Sequence, residues 1–147
     1  MKQKVLISAC LLGINCRYDQ KSKKIQKIVA LSDEFDFIPV CPEQLGGLPT
    51  PRPSSFFIAG NGSETIKGAK NMINDAGNDV SEAFVNGAEQ TLKICKMLNI
   101  KTAILKENSP SCGKNWVYLY EKLAQGSGVT ASLLMKNGIR IKSENEI

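Results

Sequence analysis

The side chains best able to do chemistry in this 147-residue chain are its five cysteines, because the sequence contains no histidine. That lack excludes Ser-His-Asp and Cys-His catalysis, histidine zinc sites and the two-histidine iron site. Any chemistry must therefore use cysteine, carboxylates, lysine, serine or tyrosine, or an acquired cofactor. An odd number of widely spaced cysteines is also more typical of a reducing compartment than of a disulfide framework.

Three of the cysteines follow apolar runs that we predict to be strands. Cys10 comes directly after residues 4–9, Cys41 comes directly after Phe35–Val40, and Cys112 lies in the loop after residues 101–105. The first of them, residues 4–9, is a short continuous apolar run, which is the pattern of a strand buried on both faces of a parallel sheet.

Helical patterns separate these strands. Apolar spacing predicts helices over residues 23–32, from Ser81 to about Leu98, and over Val129–Lys136, with a last strand beginning at residues 139–141. Strands alternating with helices predict an α/β fold: a single three-layer domain over residues 1–147 with a mostly parallel, Rossmann-like sheet.

Residues 54–79 are the least regular part of the sequence. We predict two short strands, at residues 56–58 and 64–66, joined through the turn-like sequence Gly60-Asn61-Gly62-Ser63. The segment that follows, residues 67–77, carries no clear pattern.

The predicted parallel sheet puts the three cysteine loops at the same edge. All strands of a parallel sheet end at one edge, and ligands of open α/β sheets bind there. We therefore expect Cys10, Cys41 and Cys112 to meet in one pocket. Three thiolates without histidine suit iron–sulfur ligation better than zinc, and they leave one iron open as a Lewis acid. Unmetallated core or redox cysteines are the alternative.

We expect different roles for the other two cysteines. Cys95 falls on the apolar face of the long predicted helix, where a small buried thiol serves packing. Cys16 is open to three interpretations: a structural residue, which we favour, a fourth ligand, or a resolving thiol near Cys10.

The net charge and the hydropathy indicate which partners and which cellular location to expect. The net charge of +5 and a pI near 9.0 favour anionic partners, yet the basic residues are spread, with one cluster at residues 21–27 that is typical of a solvated surface. No apolar run is long enough to cross a membrane, and the first one is too short for a signal peptide. We expect a cytoplasmic protein without a membrane partner, for which nucleic acid is a weak prospect.

Five stretches carry a resemblance to a known family. They are Ser8-Ala-Cys10-Leu-Leu-Gly13-x-x-Cys16-Arg17-Tyr18-Asp19, Cys41-Pro-Glu43-x-x-Gly46-Gly47-Leu-x-x-Pro51-Arg52, Gly77-x-Asp79-Val80, Leu105-Lys106-x-x-Ser109-Pro110-Ser111-Cys112-Gly113 and Gly126-x-Gly128-Val129-Thr130-Ala131. With these the chain resembles, over nearly its whole length, a bacterial family once classed only as a domain of unknown function. Its characterised members are thiouracil desulfidases.

The resemblance implies a cofactor and a reaction. A 4Fe-4S cluster would be held by Cys10, Cys41 and Cys112, its open iron taking the sulfur of a thiolated pyrimidine base or nucleoside without net redox change. Such a cluster is easily lost in air. Glu43, two residues from a ligand, is the carboxylate expected to activate water or carry its proton.

Further residues of these motifs are expected to assist. Ser109 and Ser111 would hydrogen-bond the base or relay protons. Lys106 and Arg52 would hold an anionic substrate group or balance the cluster charge. The Gly46-Gly47 pair would let the backbone approach a ligand closely.

The chain departs from the family pattern at Gln20, where glycine is common, and at Ser54-Ser55, where proline and glutamate are common. Both departures lie beside the predicted pocket and bear on substrate identity. Two other functions stay open at this point. One is a cluster-free thiol or persulfide enzyme that handles sulfur, and the other is a basic nucleotide- or RNA-binding module.

Overall fold

The structure is a computed structural model that describes residues 2–147. Its strands and helices are, in chain order, β1 Gln3–Ser8, α1 Gln26–Val29, β2 Phe35–Val40, α2 Pro42–Leu45, β3 Ser55–Phe57, α3 Gly62–Ile66, β4 Met72–Asn74, α4 Ser81–Met97, β5 Thr102–Leu105, β6 Trp116–Leu119, β7 Lys122–Gln125, α5 Val129–Lys136 and β8 Arg140–Ser143. Short 3₁₀ turns occupy Ala9–Leu12, Ala30–Asp33 and Glu144–Glu146.

The larger sheet has the strand order β2-β1-β5-β8 and is parallel throughout. Its centre is β1, where Val5, Leu6 and Ile7 are almost wholly buried. One face of the sheet packs on α4 and α5, and the other is covered by α1 and the loop that contains Cys10 and Cys16. The predicted α/β fold with a mostly parallel sheet is therefore confirmed, and the predicted bounds of β2 and α5 are the observed ones.

A second, mixed sheet was not predicted. It has the order β4-β3-β6-β7, in which β6 and β7 form an antiparallel hairpin. Its strands are only three or four residues long. Strands this short carry too few residues to show a period of two, so their pairing is set by contacts between distant segments.

The predicted strand at residues 64–66 is wrong, because these residues belong to α3. The Asn61 side chain accepts a hydrogen bond from the Ser63 N–H at 2.9 Å, and the Glu64 carboxylate accepts one from the Asn61 N–H at 3.3 Å. This reciprocal capping box starts a helix where the sequence resembled a hairpin turn. The partner of β3 is β4 instead.

Within residues 2–147, none of the helices is long and apolar enough to cross a membrane.

Candidate active site

A cavity of about 1140 Å³ opens at the carboxyl edge of the parallel sheet. One wall consists of the ends of β1, β2 and β5, and the opposite wall is the β6–β7 hairpin with the start of β3. Four free thiols line this cavity: Cys10, Cys16, Cys41 and Cys112. The fifth cysteine, Cys95, is buried in the core on α4, as predicted.

The first thiol loop starts where β1 ends. Ser8 closes the strand, and the chain turns at once through the 3₁₀ turn that contains Cys10. Gly13 ends this turn in the left-handed region, with φ at 97°, and its N–H donates to the Cys10 carbonyl. Further along the loop, the Lys23 N–H donates to the same carbonyl at 2.9 Å. The loop is thus folded back over Cys10, which brings Cys16 to the cavity wall.

The second thiol loop turns directly into a helix. Cys41 is the residue that precedes the short helix α2, with Pro42 at the first helical position and Glu43 in the first turn. Proline suits this position because its missing N–H would have no partner there. The arrangement sets the Cys41 thiol and the Glu43 carboxylate side by side on the cavity wall.

Arg52 ties this loop together through a buried guanidinium. Its Nε donates to Glu43 Oε1 at 2.9 Å, and its Nη1 donates to the Pro49 carbonyl at 3.0 Å and to Thr50 Oγ1 at 2.8 Å. Its Nη2 donates to the Cys16 carbonyl at 2.9 Å and lies 3.9 Å from Cys41 Sγ. A guanidinium with all its nitrogens engaged by protein has little left to offer a substrate, whereas its charge sits beside the thiols.

The third thiol lies in a turn built by two serines. Ser109 Oγ accepts hydrogen bonds from the N–H groups of Ser111 and Cys112, at 3.2 and 3.0 Å. Ser111 Oγ lies 3.1 Å from Ser109 Oγ, 3.4 Å from Glu43 Oε2 and 3.5 Å from Cys112 Sγ. Gly113 is required here, since a Cβ on it would fall 2.5 Å from the Trp116 carbonyl oxygen. A continuous polar chain therefore runs from Ser109 through Ser111 to Glu43 and Arg52.

Lys106 lines the cavity but already has partners. Its Nζ donates to the Glu107 carbonyl at 2.7 Å and pairs with Glu144 Oε2 at 2.9 Å. Glu144, near the end of the chain, was not anticipated from the sequence. It also accepts from the Glu107 N–H at 2.7 Å, so one carboxylate fixes both residues after β5.

The glycine pair does not line the cavity. Gly46 faces α4, where a Cβ would lie 2.1 Å from the Ala83 carbonyl oxygen, and Gly47 has a positive φ of 94° with open space around it. The close approach expected of Gly46 is thus an approach between two helices and not to a ligand. Gly47 ends the turn after α2, which accounts for its backbone conformation.

Sequence reasoning missed Ser8 as part of the site. It is buried at the end of β1, its Oγ accepts from the Lys106 N–H at 2.9 Å, and its hydroxyl reaches the Cys112 thiol. The only available signal was its position two residues before Cys10 in a family motif.

Aromatic residues on the opposite wall were also missed. Phe56, Tyr118 and Tyr120 line the cavity together with Tyr18, and the rings of Phe56 and Tyr120 are 5.8 Å apart between centroids. Tyr118 and Tyr120 keep about half of their surface exposed, at 40% and 57%. They lie on the β6–β7 hairpin, Tyr118 in β6 and Tyr120 in the turn, and the sheet to which this hairpin belongs was not apparent in the sequence.

Burial and neighbouring thiols raise the pKa of three cavity cysteines. Hydrogen bonding with Cys10 is the main cause that raises the pKa of Cys16 to about 11. The Cys16 thiol and burial raise the pKa of Cys41 far above its usual range, and burial raises the pKa of Cys112 to about 12. Iron binds the thiolate form of cysteine, so these thiols must release protons when they take up iron.

The donor set fits an iron–sulfur cluster. Thiolates are the usual ligands of such clusters, and the cavity offers free thiols on three separate loops with a cationic guanidinium beside them. Within the described residues, no group of three or more cysteine or carboxylate side chains is arranged to hold a single metal ion.

Fold and site together define an α/β protein whose cavity at the sheet edge is lined by cysteine thiols and a neighbouring carboxylate, without histidine. Residues 5–146 match the family described as 2-thiouracil desulfurase, and the chain belongs to that family. It is accordingly an enzyme that cleaves a carbon–sulfur bond.

Similar proteins cover the chain almost completely. The uncharacterized protein YbbK of Bacillus subtilis (strain 168) is 43% identical over 146 residues, which is 97% of either chain. A solved structure described as the [4Fe-4S]-dependent thiouracil desulfidase TudS superimposes with a TM-score of 0.85 at 38% identity. The match spans 99% of this chain and 93% of that one.

Proposed function

We propose that this enzyme removes sulfur from a thiolated pyrimidine, a thiouracil-like base or nucleoside, with a 4Fe-4S cluster held by Cys10, Cys41 and Cys112. The observation that carries the proposal is that these thiols line one cavity together with Glu43 and Ser111. Family membership and the description of the TudS neighbour as [4Fe-4S]-dependent support it.

Three protein ligands would leave one iron without a protein ligand, and that iron would supply a Lewis acid for the substrate sulfur. Side chains near the proposed ligands would stabilise the negative charge of the thiolates. The Arg52 guanidinium, 3.9 Å from Cys41 Sγ, stabilises negative charge on that sulfur. The Ser111 and Ser8 hydroxyls both reach the Cys112 sulfur and would hydrogen-bond its thiolate form.

The reaction replaces sulfur on a ring carbon by oxygen from water, C=S + H₂O giving C=O + H₂S. Carbon and sulfur keep their oxidation states, so no external electron donor is needed. Glu43 would take the proton of the attacking water; the hold of Arg52 on Oε1, which leaves Oε2 facing Ser111, supports this role. The Ser111 hydroxyl, 3.1 Å from that of Ser109, provides a route by which the proton passes to the departing sulfide.

The remaining residues of the cavity wall would bind the substrate. Tyr118, Tyr120 and Phe56 offer aromatic faces on which a pyrimidine can stack. Lys106 extends into the wall from β5, held by Glu144. We assign Arg52 to positioning Glu43 and balancing thiolate charge, since its nitrogens are engaged by the protein.

The test is anaerobic reconstitution with iron and sulfide, followed by an assay for conversion of thiouracil to uracil with release of sulfide. We expect about four irons and four acid-labile sulfides per chain, with activity that rises in proportion to cluster content. Absence of cluster uptake under these conditions, or full activity of the metal-free protein, would refute the proposal.

A further inference from the structure

Cys16 is the one cavity thiol that the proposed reaction does not use. It is 3% exposed and packs in the same apolar cluster as Cys10, with Cys41 against it. Its loop is fixed by hydrogen bonds from the Ile14 N–H to the Ala9 carbonyl and from the Lys23 N–H to the Cys10 carbonyl. The Cys16 thiol is therefore held in a fixed position next to Cys10 and Cys41.

Cys16 and Cys41 are close neighbours. The Cys41 Sγ lies 3.6 Å from the Cys16 carbonyl oxygen, and the Arg52 guanidinium links that oxygen and the Cys41 sulfur. Cys16 also shares one apolar cluster with Cys10 and Cys41, and the neighbouring Cys16 thiol is the main cause that raises the pKa of Cys41. Because it adjoins two of the proposed ligands, Cys16 is better placed to bond to one of them than to bind a separate iron.

The cavity thiols differ in access to solvent. Cys10, Cys16 and Cys112 are buried, whereas Cys41 is only partly buried. A small oxidant that enters the cavity therefore meets Cys41 first. Cys41 would be exposed in this way once the cluster is lost.

We propose that Cys16 is a resolving thiol, which forms a disulfide with Cys41 when peroxide has destroyed the cluster. This inference rests on the proposed function in one respect, that Cys41 is a cluster ligand whose integrity matters for reassembly.

The chemistry requires only a peroxide. Hydrogen peroxide transfers one oxygen to the Cys41 sulfur, forming a sulfenic acid and releasing water. The Cys16 sulfur then attacks the Cys41 sulfur, so that the S–S bond forms, the S–O bond breaks, and a second water leaves with the thiol proton. The sum is two thiols plus H₂O₂ giving one disulfide plus two waters: the two sulfurs are oxidised and the peroxide oxygens are reduced.

The disulfide protects the ligand. A sulfenic acid left unresolved in peroxide is oxidised further to sulfinic and sulfonic acids, which cellular thiols do not reverse. A disulfide is reduced back to two thiols by thiol exchange. Cys16 would thereby keep the site able to accept a new cluster after oxidative loss.

The experiment starts from cluster-loaded full-length enzyme treated with a few equivalents of hydrogen peroxide until the cluster absorbance is lost. Free thiols are then blocked with iodoacetamide, and the protein is digested without reductant for mass spectrometry. We expect a peptide pair that joins Cys16 to Cys41. A second aliquot is reduced and reconstituted, and its iron content should return close to the starting value.

Cys16→Ser and Cys95→Ser are treated in parallel. We expect Cys16→Ser to show Cys41 as sulfinic or sulfonic acid and to recover at least about fivefold less iron after reduction, while Cys95→Ser, altered in the core, behaves like the parent. A different disulfide pair in the parent, or equal recovery by Cys16→Ser, would overturn the inference.

The same mapping on cluster-free full-length protein separates the two proposals. If no cluster forms at all, the proposed function fails. The Cys16–Cys41 disulfide is still scored in that sample, and its absence there would count against the inference alone.

Discussion

Arg52 and Glu43 form an ion pair at 2.9 Å in which the two side chains are only 3% and 14% exposed. The pair joins the loop after α2 to the acid beside the second thiol, and the same guanidinium reaches the first thiol loop through the Cys16 carbonyl. Both the placement of the acid and the folding of two loops therefore depend on one side chain.

Replacing Arg52 by alanine is expected to cost about 3–5 kcal/mol of unfolding free energy, because it leaves Glu43 buried without its partner. Urea denaturation measures this. Lys114→Ala is the matched control, since its pair with Glu146 lies at the surface and is worth at most about 1 kcal/mol. Equal losses in the two variants would contradict the role given to Arg52.

Glu43→Gln keeps the size of the side chain and its contact with Arg52 but removes the base. We expect the turnover number for thiouracil to fall by about 10²–10⁴-fold with iron and sulfide content unchanged. Glu89→Gln, on the exposed face of α4, should leave both unaltered. Retention of full turnover in Glu43→Gln would exclude Glu43 as the group that accepts the proton.

Replacing each of the two serines of the third thiol loop by alanine is expected to have a different effect. Ser111→Ala should lower turnover, because its hydroxyl faces Glu43, and should keep most of the cluster, because its contact with Cys112 Sγ is long, at 3.5 Å. Ser109→Ala should lower turnover and also iron content, because its oxygen caps the N–H groups that shape the Cys112 turn. Parallel iron determination and turnover measurements on the two variants distinguish the roles, and identical behaviour would contradict this division.

The ligand assignment predicts a simple pattern among single serine variants. Cys10→Ser, Cys41→Ser and Cys112→Ser should each lose most of the cluster absorbance and iron after anaerobic reconstitution. Cys16→Ser and Cys95→Ser should retain both. Loss of the cluster in Cys16→Ser, with retention in one of the first three, would mean that the ligand set is different.

The start of α3 offers a test of the fold alone. Asn61→Ala removes the capping box, and we expect a loss of about 1 kcal/mol in unfolding free energy. Asn86→Ala, at an exposed position within α4, should be neutral or slightly stabilising because alanine is the better helix former. No difference between the two variants would show that the cap contributes nothing.

Prediction from sequence succeeded where structure depends on neighbours along the chain. The runs that became β1 and β5 are apolar, short and closed by loop residues, so a buried parallel strand is their simplest conformation. The run that became β2 is largely apolar too, and it forms a partly exposed strand at the edge of the sheet. Prediction failed at residues 64–66, where a turn-like sequence and a helix cap use the same residue types. What separates them is the reciprocal bond between Asn61 and Glu64.

The site was predicted in part for the same reason. Strand ends located the thiol loops that carry Cys10, Cys41 and Cys112, and the structure brings them to one cavity with Glu43 and Ser111. The hydrogen-bond and ion-pair partners of these residues could not be predicted. Neither the link from Arg52 to Cys16 nor the pairing of Lys106 with Glu144 follows from any local pattern, since the bonded residues are 36 positions apart in the first case and lie after different strands in the second.

By itself, the sequence determined the parallel sheet, the absence of histidine chemistry and the thiol-bearing strand ends, because apolar runs and residue types act locally. Only the tertiary structure decided that Gly46 serves helix packing, that Arg52 pairs with Glu43, and that Cys16 joins the other thiols. It also supplied the hairpin of β6 and β7 as the far wall. These features depend on the burial and pairing of segments distant in the chain, and such contacts exist only once the chain has folded.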